Sequence, residues 1–406
     1  MTLINQDNLQ DYKVLARKYR PMLFKEILGQ DYNIRIIRAA LKTKKIPHAF
    51  LLTGIRGIGK TTLARLIAQA INCLKLKFDE NKEPEPCLNC AHCISLLNNT
   101  QQDVIEIDAA SNTSINDIKE IIKNFKYKPV SSHYKIFILD EVHMLSNSAF
   151  NALLKPLEEP PTHIKIILAT TEIKKVPLTI ISRCQRLDLH RLNLKHLVHQ
   201  ILYICDLEQV KIEKEATYLL AQAAQGSARD ALSMLDQALL HTQDFHIRKR
   251  DVENMLGIVN ANIIYQLFSC LIDGDVKNML SRVRTLHQQG ADLSSVITNL
   301  ANITYQISIL KLNDHREYIY SDVEQLFCKK YTHLSIIVMI RLWQMLQKAH
   351  IELKNTNNEL ISIEMSMIKI MHSNLEISPE EALISIKQYT QKNKKIQTKK
   401  KKFNTI

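Results

Sequence analysis

Nine consecutive residues, Gly54-Ile55-Arg56-Gly57-Ile58-Gly59-Lys60-Thr61-Thr62, have the types and spacing to grip a triphosphate. They fit the phosphate-loop pattern G-x-x-x-x-G-K-[ST]. Gly54, Gly57 and Gly59 carry no Cβ, so the backbone can curl and bring several N–H groups close to phosphate oxygens. A helix beginning near Lys60 would add unsatisfied N–H donors and a partial positive charge. Lys60 would neutralise the terminal phosphates of ATP, and the Thr61 hydroxyl would hold Mg²⁺. A second constellation follows the apolar run Lys135–Leu139, which ends in Asp140-Glu141-Val142-His143. An acidic pair at the carboxyl end of a buried strand, downstream of a phosphate loop, has a specific use. Asp140 would hold the Mg²⁺, and Glu141 would orient and polarise the attacking water. A third is made of Cys73, Cys87, Cys90 and Cys93, spaced C-x13-C-x2-C-x2-C. Four thiolates can close a tetrahedral Zn²⁺ site and leave no open position for water, so the metal would be structural. Surface thiols or an iron–sulfur cluster are the alternatives, and His92, between the ligands, reads as a bystander.

The elements that must position these groups follow from pattern. Ala49–Leu52 is a short apolar run entering the loop, and Leu63–Ala68 is an apolar helix face leaving it. Val104–Ile107 and Ile164–Ala169 read as further buried strands, the latter ending in Thr170-Thr171-Glu172. Helices are expected over Ile34–Leu41, Ser114–Lys123 with Ser114 as N-cap, and Ser146–Glu159. Pro156 inside the last should cost roughly 3 kcal/mol or kink it. Strands alternating with helices to about Leu189 predict an α/β sheet domain. From Leu194 the chain turns helical: Leu194–Val210, Glu215–Ala224, then a helix whose first turn holds Arg229, then long amphipathic helices to about Met371. The stripes Met279, Val283, Leu286 and Leu334, Ile337, Ile340 read as core.

With 406 residues and 46% hydrophobic content the chain can bury several cores. Met1–Lys13 has no apolar segment of signal-peptide length, and no apolar run approaches the roughly 18 residues of a membrane span. The reading is a cytoplasmic protein with no membrane partner. Eight cysteines, four of them bunched, point to metal binding and buried thiols rather than disulfides. The net charge is +13, but residues 388–406 hold seven lysines and no acid, so residues 1–387 carry only +6. The tail reads as a solvated end whose attraction to DNA or RNA would be blind to sequence.

The chain resembles the gamma/tau family of bacterial DNA polymerase III subunits, the AAA+ ATPases of the sliding-clamp loader. The residues that carry this are Leu15-Ala16-Arg17-Lys18-Tyr19-Arg20-Pro21, Leu28-Gly29-Gln30, the loop Gly54–Thr62, the four cysteines and Glu106–Ser111. With them go Asp140–Leu145, Asn151–Lys155, Leu157–Pro161, Leu168–Thr171, Ser182-Arg183-Cys184 and Gly226–Ser233. The resemblance implies an AAA+ ATPase domain with a zinc insert (1–192), a helical lid (193–257), a helical collar (258–380) and a lysine-rich end (381–406). It implies that Arg183 is an arginine finger reaching ATP on a neighbouring subunit. Thr171, or alternatively Thr170, is then sensor 1, and Arg229 is sensor 2. Partners implied are the delta and delta-prime subunits and copies of the chain itself in a pentameric ring, the sliding clamp and primed DNA. A nucleotidyltransferase (DNA-directed DNA polymerase) label would come only from membership of the holoenzyme. The length is that of the short gamma form. A non-hydrolysing scaffold and a different AAA+ DNA motor are the competing readings. Three positions depart from the family: Tyr19 stands for the usual Trp, Leu88 for a Gly in the zinc loop and Pro156 for a Thr.

Overall fold

The computed structural model describes residues 14–79, 82–98, 100–111, 115–242, 244–257, 261–312 and 322–374. The lysine-rich end and the Ser114 cap lie outside them. The chain divides into two compact units, Met1–Val252 and Glu253–Ile406.

In the first unit, helices α1 (Leu15–Lys18) and α2 (Asp31–Thr43) lead to strand β1 (Ala49–Thr53), the glycine loop and α3 (Lys60–Asn72). An insert of β2 (Lys77–Phe78), β3 (Pro84–Glu85) and α4 (Ala91–Leu97) precedes β4 (Val104–Asp108) and α5 (Ile115–Asn124). Then come β5 (Lys135–Asp140), α6 (Asn147–Glu158), β6 (Ile164–Thr170), α7 (Leu178–Ile181) and β7 (Gln185–Asp188). The five long strands form one parallel sheet in the order β4-β5-β6-β1-β7. Every residue of β1 and β6 is buried, as expected of parallel strands covered on both faces. Their carboxyl ends, Thr53 and Thr170, are paired in register, which brings the glycine loop beside the Thr170–Glu172 turn. Strand β5 runs on the other side of β6, so Asp140 emerges at the same edge. The core beneath is built from Leu51, Phe137, Leu139, Phe150, Leu153 and Leu168, all at most 2% exposed.

Pro156 does sit inside α6, but only two residues from its end. Its missing N–H costs one bond in the last turn, and its buried ring packs inward. The segment that closes this unit is helical: α8 (Leu194–Leu207), β8 (Lys211–Ile212), α9 (Lys214–Ala223), α10 (Ala228–His241) and β9 (His246–Ile247). Side chains cap α8 and α10, with Asn193 accepting from the N–H of His196 and Ser227 from that of Asp230. Helix α11 (Lys249–Met255) spans the division between the units.

The second unit is wholly helical among its described residues: α12 (Ala261–Asp273), α13 (Val276–Gln288), α14 (Leu293–Leu312), α15 (Asp322–Lys330), α16 (Ile336–Lys354) and α17 (Glu359–Asn374). Met279, Val283 and Leu286 are buried, as their spacing requires. The second stripe is a correction. Leu334 is only partly buried, while Ile337 and Ile340 are 57% and 51% exposed. Helix α16 is apolar on more than one face, and its core face is Met339, Leu342, Leu346, Ala349 and Leu353. Among the described residues no helix is long and apolar enough to cross a membrane.

Candidate active site and thiolate cluster

A cleft of about 830 Å³ lies along the carboxyl edge of the sheet. Arg56 to Thr62, Asp140, Glu141, Thr171 and Arg229 line one stretch of it, and Val14, Ile27, Leu28, Leu189 and Leu192 give another an apolar wall. Gly59, at φ +106°, caps α3 in the left-handed region, so the helix opens directly onto the loop. Lys60 is 5% exposed. Its Nζ donates to the carbonyls of Gly54 and Ile55, each at 3.0 Å, holding the ammonium over the loop. Burial pushes its pKa down, opposed by the carboxylates of Glu141 and Asp140.

The Thr61 hydroxyl donates to Asp140 Oδ2 at 2.5 Å, so the two oxygens proposed for Mg²⁺ already converge across the two strand ends. Asp140 Oδ1 accepts from the N–H of Glu141 at 2.9 Å. Glu141 itself has φ +49°, the left-handed region that a side chain adopts only when its surroundings impose it. Its Oε2 accepts from the Thr171 hydroxyl at 3.1 Å and lies 3.4 Å from Nδ1 of His143. Thr170 is fully buried and accepts from the N–H of Glu172, so of the two threonines it is Thr171 that faces the acidic pair.

The α10 start packs onto the glycine loop. The N–H of Arg229 donates to the Gly57 carbonyl at 3.1 Å, and a Cβ at Gly57 would lie 2.2 Å from the Ser227 hydroxyl. Arg20, which sequence reasoning passes over, also lines the cleft. Burial lowers its pKa, with repulsion from Arg65 outweighing attraction to Glu106 and with Arg17 and Arg229 adding to the effect. Its local sequence gives it no role at the site, since three of the charges around it, Arg65, Glu106 and Arg229, come from distant parts of the chain. Arg183 is not among the residues lining the cleft. It sits just after α7, where its guanidinium donates to the Thr179 carbonyl and pairs with Glu158.

The four cysteines converge in the insert. Their sulfurs all lie within 4.8 Å of one another, and Cys87 Sγ is 3.8 Å from Cys93 Sγ. A tetrahedral Zn²⁺ with bonds near 2.3 Å needs sulfurs about 3.8 Å apart, so the donor set fits. Backbone N–H groups of Cys87 and Cys90 point at the sulfurs of Cys73 and Cys87, each at 3.3 Å. Burial pushes the Cys87 thiol up, but the N–H groups of Asn89 and Cys90 and the neighbouring thiols outweigh it, leaving a pKa of about 6. His92 turns away, with Nδ1 3.1 Å from the Gln101 amide nitrogen.

Comparison with known proteins places this architecture. Three family models cover the chain in series: DNA polymerase III, delta subunit, over residues 29–193; the DNA polymerase III clamp loader subunit ATPase lid domain over 196–244; and DNA polymerase III subunits gamma and tau domain III over 247–386. The gamma subunit of Buchnera aphidicola from Baizongia pistaciae is 36% identical over 371 residues, covering 90% of this chain and 98% of that protein. The chain belongs to the gamma/tau family of DNA polymerase III subunits. Its fold is a parallel α/β domain carrying the phosphate loop, then the segment matched by the lid-domain model, then the helical unit matched by domain III. The Bacillus subtilis tau subunit is 39% identical over 361 residues, and the Haemophilus influenzae tau/gamma subunit 35% over 360. The chain spans 63% and 51% of the length of these two relatives.

Proposed function

We propose that this gamma/tau family member is an ATP-hydrolysing motor subunit of a clamp loader, placing a sliding clamp on primed DNA during replication. The observation that carries this reading is the convergence of Thr61 on Asp140, with Glu141 held beside them by Thr171, in the cleft that Lys60 closes. The glycine loop, with Lys60, cradles the phosphates. Thr61 and Asp140 would hold a Mg²⁺, which would offset the negative charge of the phosphates. Glu141 takes a proton from the attacking water, and Thr171 keeps that carboxylate aimed. Arg229 comes from the lid and reads the γ-phosphate, while Arg183 serves the site of an adjacent subunit. Cys73, Cys87, Cys90 and Cys93 hold a Zn²⁺ that ties down an insert with few apolar residues of its own. ATP thereby biases a ring of this chain, delta and delta-prime toward the clamp-opening state, and hydrolysis releases clamp and DNA.

The domain roles follow the same reading: ATPase over 1–192, lid over 193–257, collar over 258–380, and a basic cytoplasmic tail over 381–406. Exposed Ile337, Ile340 and Trp343 on α16 support a collar face that neighbouring subunits cover. Polymerase chemistry attaches to this chain only through the holoenzyme it joins. A purely scaffolding subunit has no use for an intact Lys60, Thr61, Asp140 and Glu141, and the four-thiolate insert sets the chain apart from other AAA+ DNA motors. The test is paired substitution. Lys60→Ala is expected to abolish ATP binding, and Glu141→Gln to keep binding and abolish DNA-stimulated turnover. Retained turnover in both would show that these roles are wrongly assigned.

A further inference from the structure

His143 sits in the 3-10 turn Val142–Met144 after β5, with its side chain 9% exposed. A histidine so buried beside an acidic pair has to find partners, and its ring lies against Thr170, Glu141 and Glu172 at the carboxyl edge of the sheet. Nδ1 lies 3.3 Å from Thr170 Oγ1 and 3.4 Å from Glu141 Oε2. Nε2 lies 3.5 Å from Glu172 Oε1. Thr170 is itself fixed, since its hydroxyl accepts from the N–H of Glu172 at 3.0 Å. The ring is thus held by the end of β6 and presents one nitrogen to the carboxylate that emerges from β5.

We propose that His143 is a positioning residue for Glu141, using Nδ1 to hold the carboxylate in its hydrolytic orientation. The inference rests on Glu141 acting as the base. The backbone of Glu141 is fixed in the left-handed region, with its N–H on Asp140 Oδ1 and its carbonyl accepting from the N–H of Met144, so the aim of the carboxylate is set by its side-chain contacts. Two side-chain contacts then define where it points: the Thr171 hydroxyl and the His143 ring. Both come from, or are locked by, Thr170-Thr171-Glu172. A displacement of that turn by bound phosphate would reach Glu141 through both contacts at once. A misaimed base costs rate without costing affinity, because substrate binding uses the glycine loop and Lys60 instead.

The two ring nitrogens can be tested separately. Asparagine places an amide nitrogen near the Nδ1 position and glutamine places one near Nε2. In the full-length chain, His143→Ala is expected to lower kcat for ATP about 10- to 100-fold, the range a misplaced catalytic group produces. Equilibrium binding of a fluorescent ATP analogue should stay within about twofold of wild type, as expected when only transition-state contacts are lost. His143→Asn should recover most of the kcat and His143→Gln should not. Unchanged kcat in His143→Ala would overturn the proposal, as would a kcat loss matched by lost binding and a lower unfolding temperature. Equal behaviour of the Asn and Gln variants would overturn it too, since a packing role would not distinguish the nitrogens. Glu141→Gln run in parallel separates the two readings: if it retains turnover, the base assignment fails first and His143 is not the cause.

Discussion

Arg183 is paired within its own chain: its Nη2 lies 2.6 Å from Oε1 of Glu158, and Nη1 donates to the Thr179 carbonyl at the same distance. Glu158 is the last residue of α6 and Arg183 follows α7, so two helix ends present the guanidinium at the surface, away from their own cleft. This is the presentation that the proposed role on a neighbouring subunit requires.

A mixing experiment follows. Arg183→Ala chains should bind ATP normally yet fail to support hydrolysis on an adjacent wild-type subunit, with a loss of about 10³-fold or more at that interface. The pair with Glu158 is half exposed, with side chains 32% and 50% accessible, so leaving it costs at most about 1 kcal/mol. Glu158→Gln should therefore change turnover by no more than about fivefold. Subunit-resolved ATPase assays on mixed assemblies read both outcomes, and full activity in Arg183→Ala mixtures would remove the residue from the reaction.

Gly57 packs directly against the start of α10. At φ +75° it tolerates a side chain poorly, and a Cβ there would meet the Ser227 hydroxyl at 2.2 Å. Ser227 cannot simply move, because it caps α10 by accepting from the N–H of Asp230. Gly57→Ala is expected to push the lid off the loop and destabilise this unit by about 1–3 kcal/mol. Adding Ser227→Ala should recover only part of that, since it relieves the clash but not the backbone strain and loses a cap worth about 1 kcal/mol. Thermal unfolding of the two single variants and the double variant tests the coupling, and simple additivity would refute the contact.

Tyr19 does more than pack in place of an indole. Its hydroxyl donates to Glu208 Oε1 at 2.7 Å, and Lys18 Nζ reaches the same oxygen at 2.7 Å, tying the start of the chain to the end of α8. Burial pushes the Glu208 carboxyl up, but the donors Lys18 and Tyr19 outweigh it and hold its pKa below the ordinary value of 4.5. A depressed carboxyl pKa stabilises the fold above the unfolded value, and that stability is lost as pH falls through the folded one. Tyr19→Phe should accordingly cost about 1 kcal/mol at neutral pH. The difference from wild type should shrink below pH 4.5 in denaturant titrations, as Glu208 protonates. A difference that is constant through acid pH would mean the tyrosine acts by packing alone.

Much of the site was legible because its chemistry is local. The spacing from Gly54 to Thr62, the acids at the end of an apolar strand and the cysteine intervals each declare themselves within a few residues. Strand β7 does not: Gln185–Asp188 has one buried apolar residue, Leu187, and as an edge strand it needs no more. The exposed Ile337 and Ile340 misled for the opposite reason, since helical spacing reports an apolar face without saying what covers it. Pairs such as Gly57 with Ser227, Tyr19 with Glu208 and His143 with Thr170 join segments 27 to 189 residues apart. No periodicity in one chain encodes them.

The thiolate cluster yields the last prediction, and Leu88 sharpens it. Leu88 follows Cys87 and has φ +61°, a left-handed conformation that glycine adopts without penalty and leucine does not. Leu88 therefore holds this backbone under strain of about 1–3 kcal/mol that a glycine would not carry. Elemental analysis of reduced protein should find about one zinc per chain, by the four-thiolate argument. Cys90→Ala or chelation should release the metal and lower the unfolding temperature, because binding to the folded insert is then lost. Leu88→Gly should do the reverse, slowing zinc loss to a chromogenic chelator and raising the unfolding temperature, since it relieves backbone strain without touching a ligand. A Leu88→Gly chain that gives up zinc faster than wild type would show that the left-handed leucine costs nothing and that its side chain, partly buried beside the cluster, is what keeps the loop closed.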